Sequence, residues 1–206
     1  GLSLFAVPKR LIGSDGTLGE RNDVRCIALE HKMGIHAAPT CALSFGERGG
    51  ALGEQIGEAH RGLEYMFVMM NASRLAVGIE GYALSERAFQ QALAWASTRR
   101  QGSRSDVPGA EPALLAEHPD IRRMLLTVKA GTEAMRALTL YTALQLDLAT
   151  SASGATAAAS LQRAELLVPV VKGWCAELGC ELTSIGLQVH GGMGYIEATG
   201  VAQTVR

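Results

Sequence analysis

The sequence predicts a mainly α fold: an antiparallel helical bundle preceded by an incomplete β-sheet. Three observations predict it. Up to about residue 59, short apolar runs are separated by Pro and Gly turn signals, the pattern of strands. From about residue 60, apolar residues recur at helical spacing over three long stretches. A hydrophilic loop and a small-residue connection join those stretches, as between antiparallel neighbours in a bundle. The chain therefore divides into a β-rich segment, 1–59, and a helical segment, 60–206.

The strands come first. Leu2 to Val7 is a strand-like run stopped by Pro8, and Asp15-Gly16 is a turn signal. Val24 to Leu29 alternates loosely, and Thr40 to Phe45 forms a third run, ended by Gly46 and the Gly49-Gly50 turn. Ala51 to Gly57 is a candidate fourth. So few strands leave open edges, and an upstream segment is expected to complete the sheet.

The first predicted helix runs from Leu63 to Ser97 on Met66, Met69, Met70, Ile79, Leu84, Ala92 and Trp95. Gly78 and Gly81 lower its local propensity but allow close helix packing. A loop follows from Arg99 to Glu117. The second helix starts near Pro119, a favoured first-turn residue, with a stripe from Ile121 to Leu144. Ser151 to Ala159 reads as a connection, and the third helix covers Leu161 to Gln188, with Pro169 a point of bending. A fourth helix is expected from about Thr199.

The 206 residues suffice for one large domain or two small ones. A net charge of −1 gives no footprint for nucleic acid or an anionic membrane surface. No apolar run is long enough to span a bilayer. Gly1 to Val7 lacks the basic flank of a signal peptide. The first residue is not methionine and falls within a strand-like run, as expected of a fragment. Cys26, Cys41, Cys175 and Cys180 make no C-x-x-C pair and have no zinc-ligand spacing. They read as reduced thiols of a cytoplasmic protein.

The most distinctive segment is Gln188-Val189-His190-Gly191-Gly192-Met193-Gly194-Tyr195. Three glycines in four residues allow positive φ and close approach of the backbone to another group. After a helix, such a segment is either a plain C-cap and turn or a ligand-binding turn. His190 beside it is either a structural hydrogen-bonding residue or a ligand contact.

This turn resembles the Gln-x-x-Gly-Gly-x-Gly-aromatic segment of acyl-CoA dehydrogenases. Further stretches carry the resemblance across the whole chain: Leu4 to Lys9, Glu30 to Thr40, Gly62 to Asn71 with Arg74, and His118 to Leu125. It is strongest to the branch that includes 3-methylmercaptopropionyl-CoA dehydrogenase. The resemblance implies an FAD-dependent enzyme that introduces an α,β double bond into an acyl-CoA. It makes residues 1–59 the end of a middle β-domain and residues 60–206 most of a C-terminal helical domain.

By the same resemblance, Arg99, Gln188, Gly191 and Gly192 bind FAD across a subunit interface. A guanidinium suits diphosphate oxygens. Arg99 reads equally well as part of a solvated basic helix end with Arg100 and Arg104. Many relatives carry a Thr-Phe-Gly-like sequence where this chain has Gln101-Gly102. Asn71, Arg74 and Met70 match positions that hold the CoA substrate. Arg74 can instead pair locally on its helix, and Met66, Met69 and Met70 can be core rather than acyl-tunnel lining.

In the family a glutamate removes the α-proton while a hydride leaves the β-carbon for the flavin. The position on the first bundle helix that can carry this base holds Ser73 here. The other place for it lies roughly nine residues beyond Arg206. No catalytic residue is therefore assigned in this chain, and residues 1–206 alone are expected to be inert. Implied partners are an acyl-CoA, an electron-transferring flavoprotein, and further copies of the chain in a homodimer or homotetramer. Two alternatives stand beside this reading. One is an acyl-CoA oxidase-like flavoenzyme, and the other is a non-catalytic helical oligomerisation module of an inactive homologue.

Overall fold

A computed structural model of the chain describes residues 1–103, 108–109 and 111–206. Arg104 lies outside the described residues. The chain divides into two compact units, Gly1–Met70 and Asn71–Arg206.

The first unit holds six short strands in three antiparallel ladders. Strand β1 (Leu4–Ala6) pairs with β6 (Glu54–Ile56), Phe5 facing Gln55. Strand β2 (Arg10–Ile12) pairs with β3 (Leu18–Arg21), and β4 (Val24–Leu29) with β5 (Cys41–Phe45). A register shift between Cys26 and Ala28 leaves Ile27 as a bulge. The expectation of three or four strands is thus corrected to six. The Asp15-Gly16 signal marks a hairpin whose two strands the sequence pattern did not reveal.

Asn22 ties these ladders together. It is 6 % exposed. Its amide nitrogen donates to Pro8 O (2.9 Å) and Leu52 O (2.7 Å). Its amide oxygen accepts from the backbone N–H of Asp23 (2.9 Å) and Leu52 (3.0 Å). Four bonds saturate a buried primary amide.

Helix α1 (Gly62–Thr98) begins in the first unit and continues into the second. There it meets α2 (Pro119–Ser151) and α3 (Gly154–Val189). The order is up-down-up. Arg136 of α2 lies against Glu86 of α1, and Lys129 lies over the Phe89 ring, so those helices run antiparallel. Thr139 and Gly131 of α2 face Cys175 and Leu182 of α3, again antiparallel. Helices α1 and α3 are consequently parallel.

Two apolar clusters form the core. One is centred on Val128, Met135, Val171, Cys175 and Leu182. The other, nearer the C-terminal ends of α1 and α3, contains Ala92, Ala96, Leu125 and Val189. Four buried threonine hydroxyls are satisfied within their own helices. Thr132, Thr139, Thr142 and Thr183 donate to the carbonyls of Val128, Met135, Leu138 and Gly179 at 2.7–2.9 Å.

Helices α1 and α3 approach closely along small residues. A Cβ on Gly81 would run into the carbonyl of Cys175, and one on Gly179 would lie 3.2 Å from the Gly81 Cα. A Cβ on Gly186 would lie 3.0 Å from that of Ala88. The propensity lost at Gly81 is exchanged for backbone-to-backbone packing.

Two expectations are corrected here. Helix α3 starts at Gly154, so only residues 152–153 connect it to α2, and the helix continues through Pro169. The segment from Ser151 to Ala159 is rich in alanine, which favours helix over linker. The fourth helix is replaced by 3-10 turns, Glu197–Thr199 and Val201–Thr204, separated by Gly200 at φ 73°. A left-handed residue there breaks α-helical continuity.

Candidate functional site

The end of α3 sets up the site. Val189 is the last helical residue, His190 caps it with αR backbone angles, and Gly191 follows at φ 59°. The three turn glycines have different reasons to be glycine. Gly191 needs its left-handed φ. A Cβ on Gly194 would collide with the Leu187 carbonyl. Gly192 has no positive φ, and a Cβ there would meet nothing within 4 Å. Neither strain nor internal packing accounts for Gly192; it leaves the backbone open towards empty space.

That space is a cavity of about 560 Å³, lined by Arg99, Gln188, Gly191 and Gly192 together with Trp95 and His190. All four residues expected to bind FAD thus line one concavity. Its volume lies within the usual range for small-molecule sites.

No Asp or Glu is among the described residues that line this cavity, while Arg99 contributes a guanidinium. The Arg99 backbone N–H is bonded to Trp95 O at 2.9 Å, which continues α1 by one residue. Its side chain makes no hydrogen bond or ion pair among the described residues. Gln188 donates its amide nitrogen to Tyr195 Oη at 2.9 Å. This bond braces the aromatic end of the turn and leaves the amide oxygen for another donor.

Two histidines contribute to the wall. His118 Nε2 lies 2.9 Å from the Gln101 carbonyl. Gln101 and Gly102 are held by ladder bonds to Ala113, at 3.0 and 2.9 Å. His190 is 8 % exposed, with Nδ1 2.9 Å from the Gly186 carbonyl and its ring stacked on Trp95 at 5.6 Å. The sequence left His190 open between a structural role and a ligand role; the structure shows the structural bond. Trp95 entered the sequence reading only as a helix-stripe residue, and His118 only as part of a matching stretch. Their role in the wall depends on tertiary contacts.

The remaining candidates sit elsewhere. Arg74 Nη1 donates to Asn71 Oδ1 at 3.3 Å, one turn apart on α1. Arg99 follows Arg74 by 25 residues, about 37 Å of helix, so this pair and the cavity are separate. Met70 is half-buried and falls in the first unit, whereas Met69 there is 65 % exposed. Ser73 is exposed. Of the carboxylates, Glu197 pairs with Arg206 at 2.8 Å and Glu86 with Arg136 at 2.8 Å. The Gln90 amide, with Arg136, holds the Glu86 carboxyl below its ordinary pKa.

Comparison with known proteins bears on these features. The family model described as the C-terminal domain of acyl-CoA dehydrogenase matches residues 60–206. The 3-methylmercaptopropionyl-CoA dehydrogenase of Ruegeria pomeroyi is 47 % identical over 206 residues, covering 100 % of this chain and 34 % of that protein. The broad-specificity linear acyl-CoA dehydrogenase FadE5 of Mycobacterium tuberculosis is 37 % identical over 213 residues, covering 100 % and 35 %. A solved structure described as Bd2924 apo-form superimposes with a TM-score of 0.82 at 24 % identity, covering 100 % of this chain and 37 % of that one. That likeness concerns the fold. The chain spans about a third of the length of the curated relatives it matches.

Proposed function

The chain belongs to the acyl-CoA dehydrogenase family, and from that premise we propose that it forms part of an FAD-dependent enzyme introducing an α,β double bond into an acyl-CoA thioester. One observation carries this reading: Arg99, Gln188, Gly191 and Gly192 converge on one cavity, with no carboxylate among the described residues that line it. Such a wall suits the diphosphate of a dinucleotide.

The residues fit the group in three respects. Arg99 offers a forked donor to phosphate oxygens. Gly192 leaves room for a phosphate or ribose to approach the backbone. Gln188, steadied by Tyr195, presents its amide oxygen to a hydroxyl donor. The chemistry a bound flavin supplies is acceptance of a hydride from the substrate β-carbon. On α1, Asn71 and Arg74 bind the CoA portion, and Met70 belongs to the acyl-binding wall. Ser73 is no base, and the proton-abstracting glutamate belongs to sequence after Arg206.

In this reading residues 1–59 are the end of a middle β-domain and residues 60–206 most of the C-terminal domain. The enzyme is a homodimer or homotetramer whose FAD is shared between subunits. It passes electrons to an electron-transferring flavoprotein. Four free cysteines fit a reducing compartment, which favours the cytoplasm. No described helix is long and apolar enough to cross a membrane.

The test is flavin binding by the full-length polypeptide carrying this sequence. It is expected to hold FAD, and Arg99→Ala is expected to weaken FAD binding at least tenfold. An unchanged dissociation constant overturns the assignment of Arg99, and failure of the parent protein to bind FAD overturns the reading as a whole. Flavin bleaching by acyl-CoA, with reoxidation followed in oxygen or in electron-transferring flavoprotein, separates dehydrogenase from oxidase.

A further inference from the structure

The first unit holds a concavity of its own, of about 390 Å³, lined by residues between Leu11 and Leu52. Three guanidiniums border it, from three segments: Arg21 at the end of β3, Arg25 in β4, and Arg48 in the turn after β5. Asp23 is the one carboxylate among the described residues that line it. Gathering like charges around one space costs free energy that a bound anion relieves.

Local pairing leaves these charges unspent. The Asp23 carboxylate accepts the backbone N–H of Arg48, and the Asp23 carbonyl accepts that of Gly46 at 2.9 Å. Asp23 thus holds the backbone of the turn rather than a guanidinium. Arg25 has a single ion pair, to Glu47 at a long 3.7 Å, with both side chains partly exposed. The side chains of Arg21 and Arg48 make no hydrogen bond or ion pair among the described residues. The supporting backbone is fixed, because Asn22 bonds both the N–H and the carbonyl of Leu52 where the chain returns from the turn. Gly49 and Gly50, at φ 137° and 115°, leave the rim open: a Cβ added at either would meet nothing within 4 Å. Their N–H groups make no hydrogen bond among the described residues and remain as further donors. Leu11 and Leu52 add apolar wall.

We propose that this concavity binds a free phosphate monoester, its dianion held by Arg21, Arg25 and Arg48 and its organic part resting on Leu11 and Leu52. Phosphate suits the site better than carboxylate. Guanidiniums from three segments match the three terminal oxygens of a monoester, which carries close to two charges at neutral pH. A carboxylate offers two oxygens in one plane, the complement of a single guanidinium. The volume lies within the range of small-molecule sites. The inference stands on the first unit alone and does not depend on the reading of the cavity around Arg99.

The experiment uses the full-length protein as purified, with phenyl phosphate as the probe and titration calorimetry as the readout. Phenyl phosphate is expected to bind more tightly than inorganic phosphate and more tightly than benzoate. Arg21→Ala and Arg48→Ala are each expected to weaken it about fivefold. Both residues are exposed, so the denaturant midpoint is expected to stay unchanged. Arg10→Ala removes the same charge from the neighbouring strand, at a residue paired with Arg21 but outside the lining, and is expected to leave the affinity unchanged. A parent protein that does not bind phenyl phosphate overturns the proposal. An equal loss in Arg10→Ala also overturns it, by marking a diffuse positive field, and so does benzoate binding as tightly as phenyl phosphate. CoA and dephospho-CoA are titrated in parallel. If Arg48→Ala weakens CoA and spares dephospho-CoA, the arginines serve the phosphate that distinguishes the two, and the free ligand is overturned.

Discussion

The units Gly1–Met70 and Asn71–Arg206 are ordered by different means. In the second, apolar side chains from three helices are fully enclosed, Ala92, Met135 and Val171 among them. In the first, the strands are well paired, and within this chain taken by itself several of their apolar residues stay exposed: Leu18 is 74 % and Phe45 53 % exposed. Its only buried residues are Asn22 and Gly62. A saturated amide, not a packed methyl cluster, stands at its centre. Backbone ladders and one polar hub can specify strand pairing, but they do not supply the apolar burial that dominates folding free energy.

Three substitutions probe that contrast, the largest effect first. Met135→Ala removes a fully buried side chain from the larger cluster and is expected to cost about 2–5 kcal/mol, measured as a shift in denaturant midpoint at constant slope. Asn22→Ala strips the hub and leaves the Leu52 N–H and the Pro8 carbonyl without their partner. A cost of about 1–3 kcal/mol is expected, read as faster amide exchange at Asp23 and Leu52. If its cost matched that of Met135→Ala, the contrast between polar hub and apolar core would break down.

Glu86→Gln sharpens the comparison from the bundle side. The Gln90 amide, then Arg136, lowers the Glu86 pKa from its ordinary 4.5 in the folded state. The unfolded chain therefore binds more protons as pH falls below the ordinary value. The stabilisation is fully present above about 4.5 and is lost as pH drops through the lower folded-state pKa. The parent is expected to exceed Glu86→Gln by under about 1 kcal/mol at neutral pH and to converge with it in acid. A difference independent of pH would remove the carboxylate from the account.

The long helices were legible because each carries a sustained 3.6-residue stripe. Pro119 fixed the start of α2 in sequence as in structure. The start of α3 was not legible. Small residues signal linker and helix alike, and packing decides between them. The β2–β3 hairpin was missed because residues such as Arg10, Gly19, Glu20 and Arg21 give its strands no alternation. At the site, the glycine turn and Arg99 stood out as residue types. Trp95 did not, because its place beside His190 arises where α1 and α3 end level with each other. No sequence pattern encodes which ends come together.

That levelling traces back to the glycines between α1 and α3. Gly81 against Cys175 and Ala88 against Gly186 leave no slack for one helix to slide along the other. One turn of slippage is about 5.4 Å, nearly the whole separation of the Trp95 and His190 rings. The seam therefore works as a gauge block. Side chains omitted near the middle of the bundle set the span of a cavity about 20 Å further along, and any ligand held there is measured against them.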